Sequence, residues 1–357
     1  ATTTWSSQGR LVFTAISALC TLFVVGLAAW LPRRIARWVV GGVSLYFLLV
    51  AAAAPFLWIK PAYDPASYDL AQNAVFEEVG VSFGDKMQLN RAAIEVEDGS
   101  AGAIRPGVSF WVHLAGEVWS SLEENWSVFL HAVDPVLGRP VAQRDMYPGQ
   151  GLQLTSWLEP GSRLVNSYQM QLPETAVSPA ELELVTGLYN VQTGERLMSG
   201  DEKDAISLGS IALLAADGEY PNPTSINFEG VLELAGYTVE PRSVAPGETI
   251  EVSLYWRPLH SLEEDYTFFA QVVDEDTTRW ASIDHMPLEG TSTWPADEVQ
   301  IVPLSLTLAP DTPGDVYPLI IGVYTRGSEG EFNRLQILTP DGRLTDDFLE
   351  LTPVRVE

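Results

Sequence analysis

Cysteine is nearly missing from this chain, which has one such residue, Cys20, among 357. A single cysteine excludes an internal disulfide framework, so apolar cores must stabilise the protein. Histidine is also scarce, with four residues, and no histidine or cysteine grouping has the spacing of a zinc site. Neither a Ser–His–Asp arrangement nor a glycine-rich phosphate loop is present. We therefore expect no metal and no cofactor, and the sequence identifies no catalytic residue.

Acidic residues are missing from the first 60 positions, which carry five Lys or Arg. The remaining 297 residues carry all 47 Asp and Glu against 15 Lys and Arg, which is a net charge of -32. Such a surface repels polyanions, so we exclude nucleic acid and anionic lipid headgroups as partners. Its simplest role is to keep this part of the protein in solution.

Charges are also absent from two long apolar runs, Leu11–Leu31 and Trp38–Ile59. A helix of either length spans about 31–33 Å, which matches a hydrocarbon core of about 30 Å. The connection 32–37 carries three arginines: Arg33, Arg34 and Arg37. Arginines in a short loop are typical of the cytoplasmic side. The pattern predicts a multi-pass cell-membrane protein with both termini outside the cytoplasm. A secretory signal fits the first run less well, because a second span follows at once.

Tryptophan residues lie near the ends of the two runs: Trp5, Trp30, Trp38 and Trp58. An indole ring favours the membrane–water boundary, so we expect these side chains there. Small residues in the second run would let another helix approach closely: Gly41, Gly42, Ala51 and Ala54. Besides the lipid bilayer, the expected partner of this face is either the first span or another membrane protein.

The acidic part contains an internal duplication. Residues 106–134 align with residues 246–274 without a gap, and Ser-Leu-Glu-Glu occurs in both. The ordered match predicts two copies of one fold. The predicted organisation is a transmembrane hairpin at 1–60, a connector at 61–74, a first repeat at 75–213, a linker at 214–223 and a second repeat at 224–357.

Alternation of apolar and polar residues marks the strands of each copy. In residues 249–256, every second position is apolar, ending with Trp256. Residues 109–116 repeat the pattern, but Gly116 stands where the second copy has Trp256. Turn residues separate the segments closely, and no amphipathic helix is evident after residue 75. We predict a mainly β protein with two tandem β-sandwiches, immunoglobulin-like or jelly-roll, after the helical hairpin.

Several motifs follow the second span in order: IKPAYDP at 59–65, LAGY at 234–237, PGET at 246–249, LYW at 254–256, DYTFF at 265–269 and GVY at 322–324. Together with the membrane span, they resemble the C-terminal region of bacterial membrane glycosyltransferases of the protein O-mannosyltransferase type. The resemblance implies an association with polyprenyl-phosphate sugars on the outer membrane face. It carries over no catalytic residue, because that family's catalytic acids lie in the first outer loop of a many-span core, which this sequence does not match.

Two functions are compatible with these observations. The chain is either a non-catalytic part or relative of a lipid-linked-sugar glycosyltransferase, which positions glycan or acceptor, or an accessory subunit of a multi-protein membrane complex. A cell-surface adhesin-like module is a third option. The chain begins Ala-Thr-Thr-Thr, so it is either processed or a piece of a longer protein. In the second case, the longer protein would be a glycosyltransferase.

One string recurs in both copies and predicts the candidate glycan-binding residues: Asp145, Trp157, Asp284 and Trp294. An indole can cover the apolar face of a sugar, and a carboxylate can bind its hydroxyls. The favoured alternative is structural, with Asp capping backbone N–H groups and Trp closing the end of the sandwich. Among the histidines, His113 and His131 could lie on neighbouring strands, but no third ligand accompanies them.

Overall fold

The computed structural model describes residues 21–23, 25–26, 29, 31–59, 74–96, 103–327 and 330–357. The chain divides into two compact units, residues 1–66 and residues 67–357. In the first unit, helix α1 covers Arg33–Ala54 and continues as a π-helical turn over Pro55–Ile59. Pro32 precedes the helix, where its missing N–H costs no intrahelical hydrogen bond.

Helix α1 has the length and composition of a membrane span. An 18-residue window within Arg33–Trp58 has a mean hydropathy of 2.0, and this is the one such helix within the described parts of the chain. Its side chains are largely exposed, including Trp38 at 85%. The predicted loop over 32–37 is wrong in its extent, because the backbone is already helical from Arg33, so the three arginines occupy the first turns of α1. The first predicted span is described only in part, and Trp5 and Trp30 lie outside the described residues.

The described residues of the first sandwich form ten strands in two sheets, ordered β1-β2-β4-β7 and β3-β10-β8-β5-β6, with β9 on β8. Their bounds are β1 Glu77–Phe83, β2 Met87–Val96, β3 Ala103–Ile104, β4 Ser109–Val118, β5 Trp126–Asp134, β6 Arg139–Met146, β7 Arg163–Gln171, β8 Ala180–Asn190, β9 Arg196–Leu197 and β10 Ile206–Leu213. A short 3-10 turn, Thr155–Trp157, lies between β6 and β7.

In the second sandwich, outside residues 328–329, the structure has eleven strands in two sheets, ordered β17-β14-β12-β11-β20 and β13-β21-β18-β15-β16, with β19 on β18. Their bounds are β11 Ile226–Phe228, β12 Leu232–Glu240, β13 Ser243–Val244, β14 Thr249–Pro258, β15 Thr267–Val273, β16 Arg279–His285, β17 Gln300–Thr307, β18 Val316–Arg326, β19 Phe332–Arg334, β20 Ile337–Leu338 and β21 Leu349–Val356. Its 3-10 turn is Thr291–Thr293.

Each sandwich has its own apolar core between its two sheets. The cores form because alternate side chains of each strand face the opposite sheet, as the sequence pattern predicted. The prediction of a mainly β protein with tandem β-sandwiches is confirmed.

The strand register shows which positions of the two copies are equivalent. Gly116 of β4 pairs with Leu89, and Trp256 of β14 pairs with Leu234; in both copies a β-bulge follows immediately on the partner strand. Phe129 and Phe269 likewise face Gly187 and Gly322. The duplication therefore extends from sequence to hydrogen-bond register.

The two sandwiches contact each other through polar groups. Asp134 of the first and Arg242 of the second form an ion pair of 2.6 Å, with side-chain exposures of 4% and 13%. Close to it, the Arg355 guanidinium donates to the Leu137 carbonyl at 2.9 Å. A second, half-exposed pair joins Arg139 to Asp315.

Candidate functional site

The recurring 3-10 turns show that the two predicted tryptophans are not equivalent. Trp157 ends the first turn itself and is 68% exposed, whereas Trp294 follows the second turn as its C-cap. The C-cap of the first turn is Leu158, which is buried in the core. Trp294 packs on its own core and stacks on Phe268 at 5.6 Å between ring centroids. The predicted equivalence of Trp157 and Trp294 is therefore wrong by one residue, because the structure aligns Trp294 with Leu158.

A buried threonine holds each 3-10 turn against the start of a strand. In the first copy, Thr155 Oγ1 accepts the Trp126 N–H at 2.8 Å and donates to the Glu124 carbonyl at 3.2 Å. In the second copy, Thr291 Oγ1 accepts the Tyr266 N–H at 2.8 Å and donates to the Glu264 carbonyl. This part of the recurring string thus satisfies buried backbone groups through a threonine, whereas the structural alternative assigned such capping to the aspartates.

The residue that immediately precedes Trp126 or Tyr266 in the sequence caps the 3-10 turn of its own copy. Asn125 Oδ1 accepts the Ser156 N–H at 3.1 Å, and Asp265 Oδ1 accepts the Ser292 N–H at 2.8 Å. The Ser292 N–H, together with its hydroxyl, lowers the pKa of the Asp265 carboxyl below its ordinary value. Only the second copy therefore carries a titratable cap.

Replacing Asp265 by asparagine is expected to reduce the acid sensitivity of the fold. A carboxyl whose pKa is lowered in the folded state contributes stability above its unfolded-state pKa, and this contribution is lost as the pH falls through the folded-state pKa. The asparagine keeps the cap, as Asn125 does in the first copy, but cannot gain a proton.

Urea midpoints between pH 7 and about pH 2.5 test this expectation, since the ordinary Asp pKa is about 3.9. Asp265→Asn should match the wild type at pH 7 and exceed it in acid. The reciprocal Asn125→Asp should add acid sensitivity. Parallel pH profiles for all three proteins would contradict the role assigned to the cap.

The outer face of one sheet in each sandwich carries a second duplicated cluster, which is not among the sites predicted from the sequence. Phe129 is buried there, away from the sandwich core, because Val128 and Leu130 take the inward positions of β5. The Arg196 guanidinium lies 4.7 Å from the Phe129 ring centroid and pairs with Asp204 at 2.8 Å.

The second sandwich repeats this arrangement. The Arg334 guanidinium lies 4.9 Å from the Phe269 ring centroid and pairs with Asp347 at 3.2 Å. A Cβ atom at Gly322 would lie 2.4 Å from the Phe269 ring, and one at Gly187 equally close to Phe129. Glycine is therefore needed on the neighbouring strand of each copy so that the ring can lie flat on the sheet.

The predicted aspartates lie beside these clusters. In the first sandwich, Asp145 of β6 is 3.2 Å from His131 Nε2. The hydroxyl of Tyr189 interacts with Asp145 and with Ser127. Burial, and then the Asp145 charge, raise the pKa of Tyr189. The polar groups of this surface thus largely satisfy one another.

In the second sandwich, the equivalent tyrosine hydroxyl is left unpaired. Tyr324 is 3% exposed, and its Oη has no hydrogen-bond partner among the described residues. It lines an open cleft of about 660 Å³ together with Asp284, Thr267, Met286 and Arg326. The exposed Phe332 ring packs edge-on against Tyr324 at 5.1 Å, and Arg326 lies over Phe332.

This cleft combines hydrogen-bond acceptors, donors and an aromatic surface. The Asp284 carboxylate accepts, the Arg326 guanidinium donates, and the Tyr324 and Thr267 hydroxyls can do either. A buried hydroxyl without a partner costs about 1–3 kcal/mol, so a ligand that pairs with Tyr324 Oη recovers that free energy. No grouping of three His, Cys, Asp or Glu side chains suited to a metal ion occurs in the described part of the chain.

The two histidines that the sequence suggested as neighbours lie in different sheets. His113 lies on β4, in the first sheet, and His131 lies on β5, in the second. The expectation that they occupy neighbouring strands is therefore wrong. His113 is buried, with Nδ1 2.7 Å from Ser167 Oγ and Nε2 3.3 Å from Glu95. Burial lowers its pKa, despite the opposing effect of Glu95.

Comparisons with known proteins add little to this geometry. No protein-family description matches the chain, and no curated protein sequence matches it. Among solved structures, a Niemann-Pick type C2 protein from Japanese carpenter ant is 11% identical in sequence, with 40% of this chain and 99% of that chain covered and a TM-score of 0.26. A likeness of this degree carries no argument about function.

Proposed function

We propose that this chain is a membrane-anchored protein that holds a glycan outside the cytoplasm, in the cleft of the second sandwich. The observation that carries the proposal is the buried, unpaired hydroxyl of Tyr324, a residue that lines the same cleft as Asp284. Sugar hydroxyls both donate and accept hydrogen bonds, so they can pair with these two groups simultaneously. The Phe332 ring, 60% exposed, offers an apolar surface to the face of a sugar ring.

The proposal assigns different roles to the four predicted glycan-binding residues. Asp284 contacts the glycan, whereas Trp294 supports the core beneath Phe268. Asp145 is already engaged by His131 and Tyr189, so the first sandwich is the weaker candidate. Trp157 is exposed, but it lies on the 3-10 turn and not on the strand that carries Asp145.

The membrane anchor is the second part of the proposal. Helix α1 is long and apolar enough to cross a bilayer, and arginines occupy its first turns. If these arginines lie in the cytoplasm, the acidic sandwiches lie outside. The chain would then present glycan or acceptor for transfer of lipid-linked sugars, as the resemblance to O-mannosyltransferase-type enzymes implies, without itself performing the transfer.

Binding of mannose oligosaccharides to the full chain in detergent tests this function. Asp284→Asn should weaken binding about tenfold or more, because a hydrogen bond to a charged group contributes about 1.5–3 kcal/mol. Tyr324→Phe should weaken it about two- to tenfold, because a hydrogen bond between neutral groups contributes about 0.5–1.5 kcal/mol. Asp145→Asn is the matched control at the equivalent position and should change the affinity less than twofold.

Absence of any saturable glycan binding by the wild-type chain would contradict the proposal, and so would equal losses in Asp284→Asn and Asp145→Asn. The alternative, an accessory subunit of a membrane complex, predicts a different result from the same preparation. A stoichiometric partner would then remain bound in mild detergent, and the Asp284→Asn variant would retain it.

A further inference from the structure

The two sandwich cores differ at positions that their strand registers make equivalent. The second core contains three large aromatic side chains in mutual contact. Trp256 lies 5.3 Å from Phe268, and Phe268 stacks on Trp294. The equivalent positions of the first core hold much smaller groups: Gly116, Val128 and Leu158. The first sandwich therefore lacks two indole rings and a phenyl ring that its sister domain uses to fill the space between its sheets.

A cavity occupies this position in the first sandwich. Gly116 and Val128 line it, together with Phe83, Leu114, Leu164 and other core residues. The depression with its open mouth encloses about 440 Å³, of which about 40 Å³ can hold the centre of a water molecule. Its lining is almost entirely apolar. An apolar cavity of this kind accepts small apolar molecules.

One polar group in this lining is a hydroxyl without a partner. Tyr168 lines the cavity, is 1% exposed, and its Oη has no hydrogen-bond partner in the described part of the chain. The second sandwich has Leu304 at this position, since Tyr168 pairs with Val112 as Leu304 pairs with Val252. Burial raises the pKa of Tyr168, so the group stays a neutral phenol.

Water alone does not suit this site. A buried water molecule needs about two to four polar partners, and apolar cavities stay dry. The Tyr168 hydroxyl offers one partner against an apolar wall. An occupant that is mainly apolar and carries one hydrogen-bonding group satisfies both the wall and the hydroxyl.

We propose that the first sandwich is a binding site for a small, ring-shaped, mainly apolar molecule with a single hydrogen-bonding group. The molecule lies in this cavity between the two sheets and hydrogen-bonds Tyr168 Oη. The partly exposed residues Gln88 and Asn166 mark the side on which the cavity meets solvent.

The loop between β6 and the 3-10 turn covers this side. It has eight residues, 147–154, against five residues, 286–290, in the second sandwich. Its Gly149 N–H donates to Asn166 Oδ1 at 2.8 Å, and Pro148 lines the cavity. The longer loop thus places apolar surface over the opening without filling the cavity.

Equilibrium dialysis of radiolabelled indole against the full chain in detergent tests this site. The wild type should bind one indole per chain above the background that the micelles take up. Val128→Phe introduces the residue that the second sandwich has at this position and should weaken indole binding more than tenfold. Val112→Leu is the control, because Val112 is equally buried on β4 but does not line the cavity.

Two further variants keep the test decisive. Thr186 also lines the cavity, and Thr186→Ile introduces the residue that the second core has at this position, Ile321. This variant should weaken indole binding even if Val128→Phe does not fold. Tyr168→Phe should weaken the binding of indole but not that of benzene, because benzene makes no hydrogen bond. No saturable indole binding by the wild type, or binding unchanged in both Val128→Phe and Thr186→Ile, would overturn the proposal. Neither result bears on glycan binding in the second sandwich.

Discussion

Replacing Asp134 by alanine is expected to lower the free energy of unfolding of the sandwich unit by about 3–5 kcal/mol, the usual cost of breaking a buried ion pair. The variant leaves the Arg242 guanidinium, 13% exposed, without its carboxylate partner. It also removes the cap on the Val136 N–H, which Asp134 Oδ1 accepts at 2.8 Å. Urea unfolding of the full chain, followed by tryptophan fluorescence, measures the loss.

The matched control is Asp315→Ala, which breaks the other ion pair between the sandwiches. Arg139 and Asp315 are both about half exposed, so solvent screens their attraction. An exposed pair contributes about 0–1 kcal/mol, and we expect a loss within that range. Equal losses in the two variants would mean that burial at the junction does not decide the strength of these pairs.

A double-mutant cycle separates the ion pair from the cap. Arg242→Ala alone should also be strongly destabilising, because it leaves the Asp134 carboxylate buried without its partner. The double variant should lose less than the two single losses added together, by about 1–3 kcal/mol. Additive losses would contradict direct coupling between Asp134 and Arg242. They would mean that Asp134 stabilises the protein through its hydrogen bond to the Val136 N–H.

The β-sandwich architecture could be predicted because alternation has a direct structural cause. In residues 249–256, each apolar side chain falls on the core-facing side of β14, and this fixes which face is buried. The duplication was visible for the same reason, since the two copies keep the same inward positions. The start of α1 was harder to predict, because arginines are compatible with both a loop and a first helical turn.

The site residues were predicted less well than the fold. Matching tryptophan with tryptophan gave the wrong alignment, because the hydrogen bonds of the two 3-10 turns equate Trp157 with Thr293 and Leu158 with Trp294. Phe269 and its arginine were missed because an apolar residue in a strand is read as a core residue. One sequence signal could have found the arginine cluster, since an Arg-Leu pair recurs at Arg196 and Arg334.

The unpaired hydroxyls of Tyr168 and Tyr324 could not be predicted at all. Whether a buried hydroxyl finds a partner depends on distances of a few tenths of an ångström between strands that are distant in sequence. By contrast, the exchange of Trp256 for Gly116 was evident in the alignment, but its consequence for packing required the strand register.

That exchange gives the second large expected effect. Trp256→Ala should lower the free energy of unfolding by about 3–5 kcal/mol, the usual cost of truncating a buried tryptophan. The side chain is fully buried and contacts Phe228 and Phe268 at 5.1 Å and 5.3 Å between ring centroids. Its indole N–H has no hydrogen-bond partner among the described residues, so the loss comes from packing alone.

Trp157→Ala is the control for this variant, because the exposed Trp157 side chain should contribute within about 0.5 kcal/mol. If a missing indole is what creates the cavity of the first sandwich, Trp256→Ala creates a second one, and added indole should restore part of the lost stability by binding only the folded state. In the wild-type second sandwich the buried Trp256 ring fills this space, so the increase in urea midpoint per millimolar indole should be larger in Trp256→Ala than in the wild type. An equal increase in both proteins would mean that the surrounding side chains collapse into the space left by Trp256.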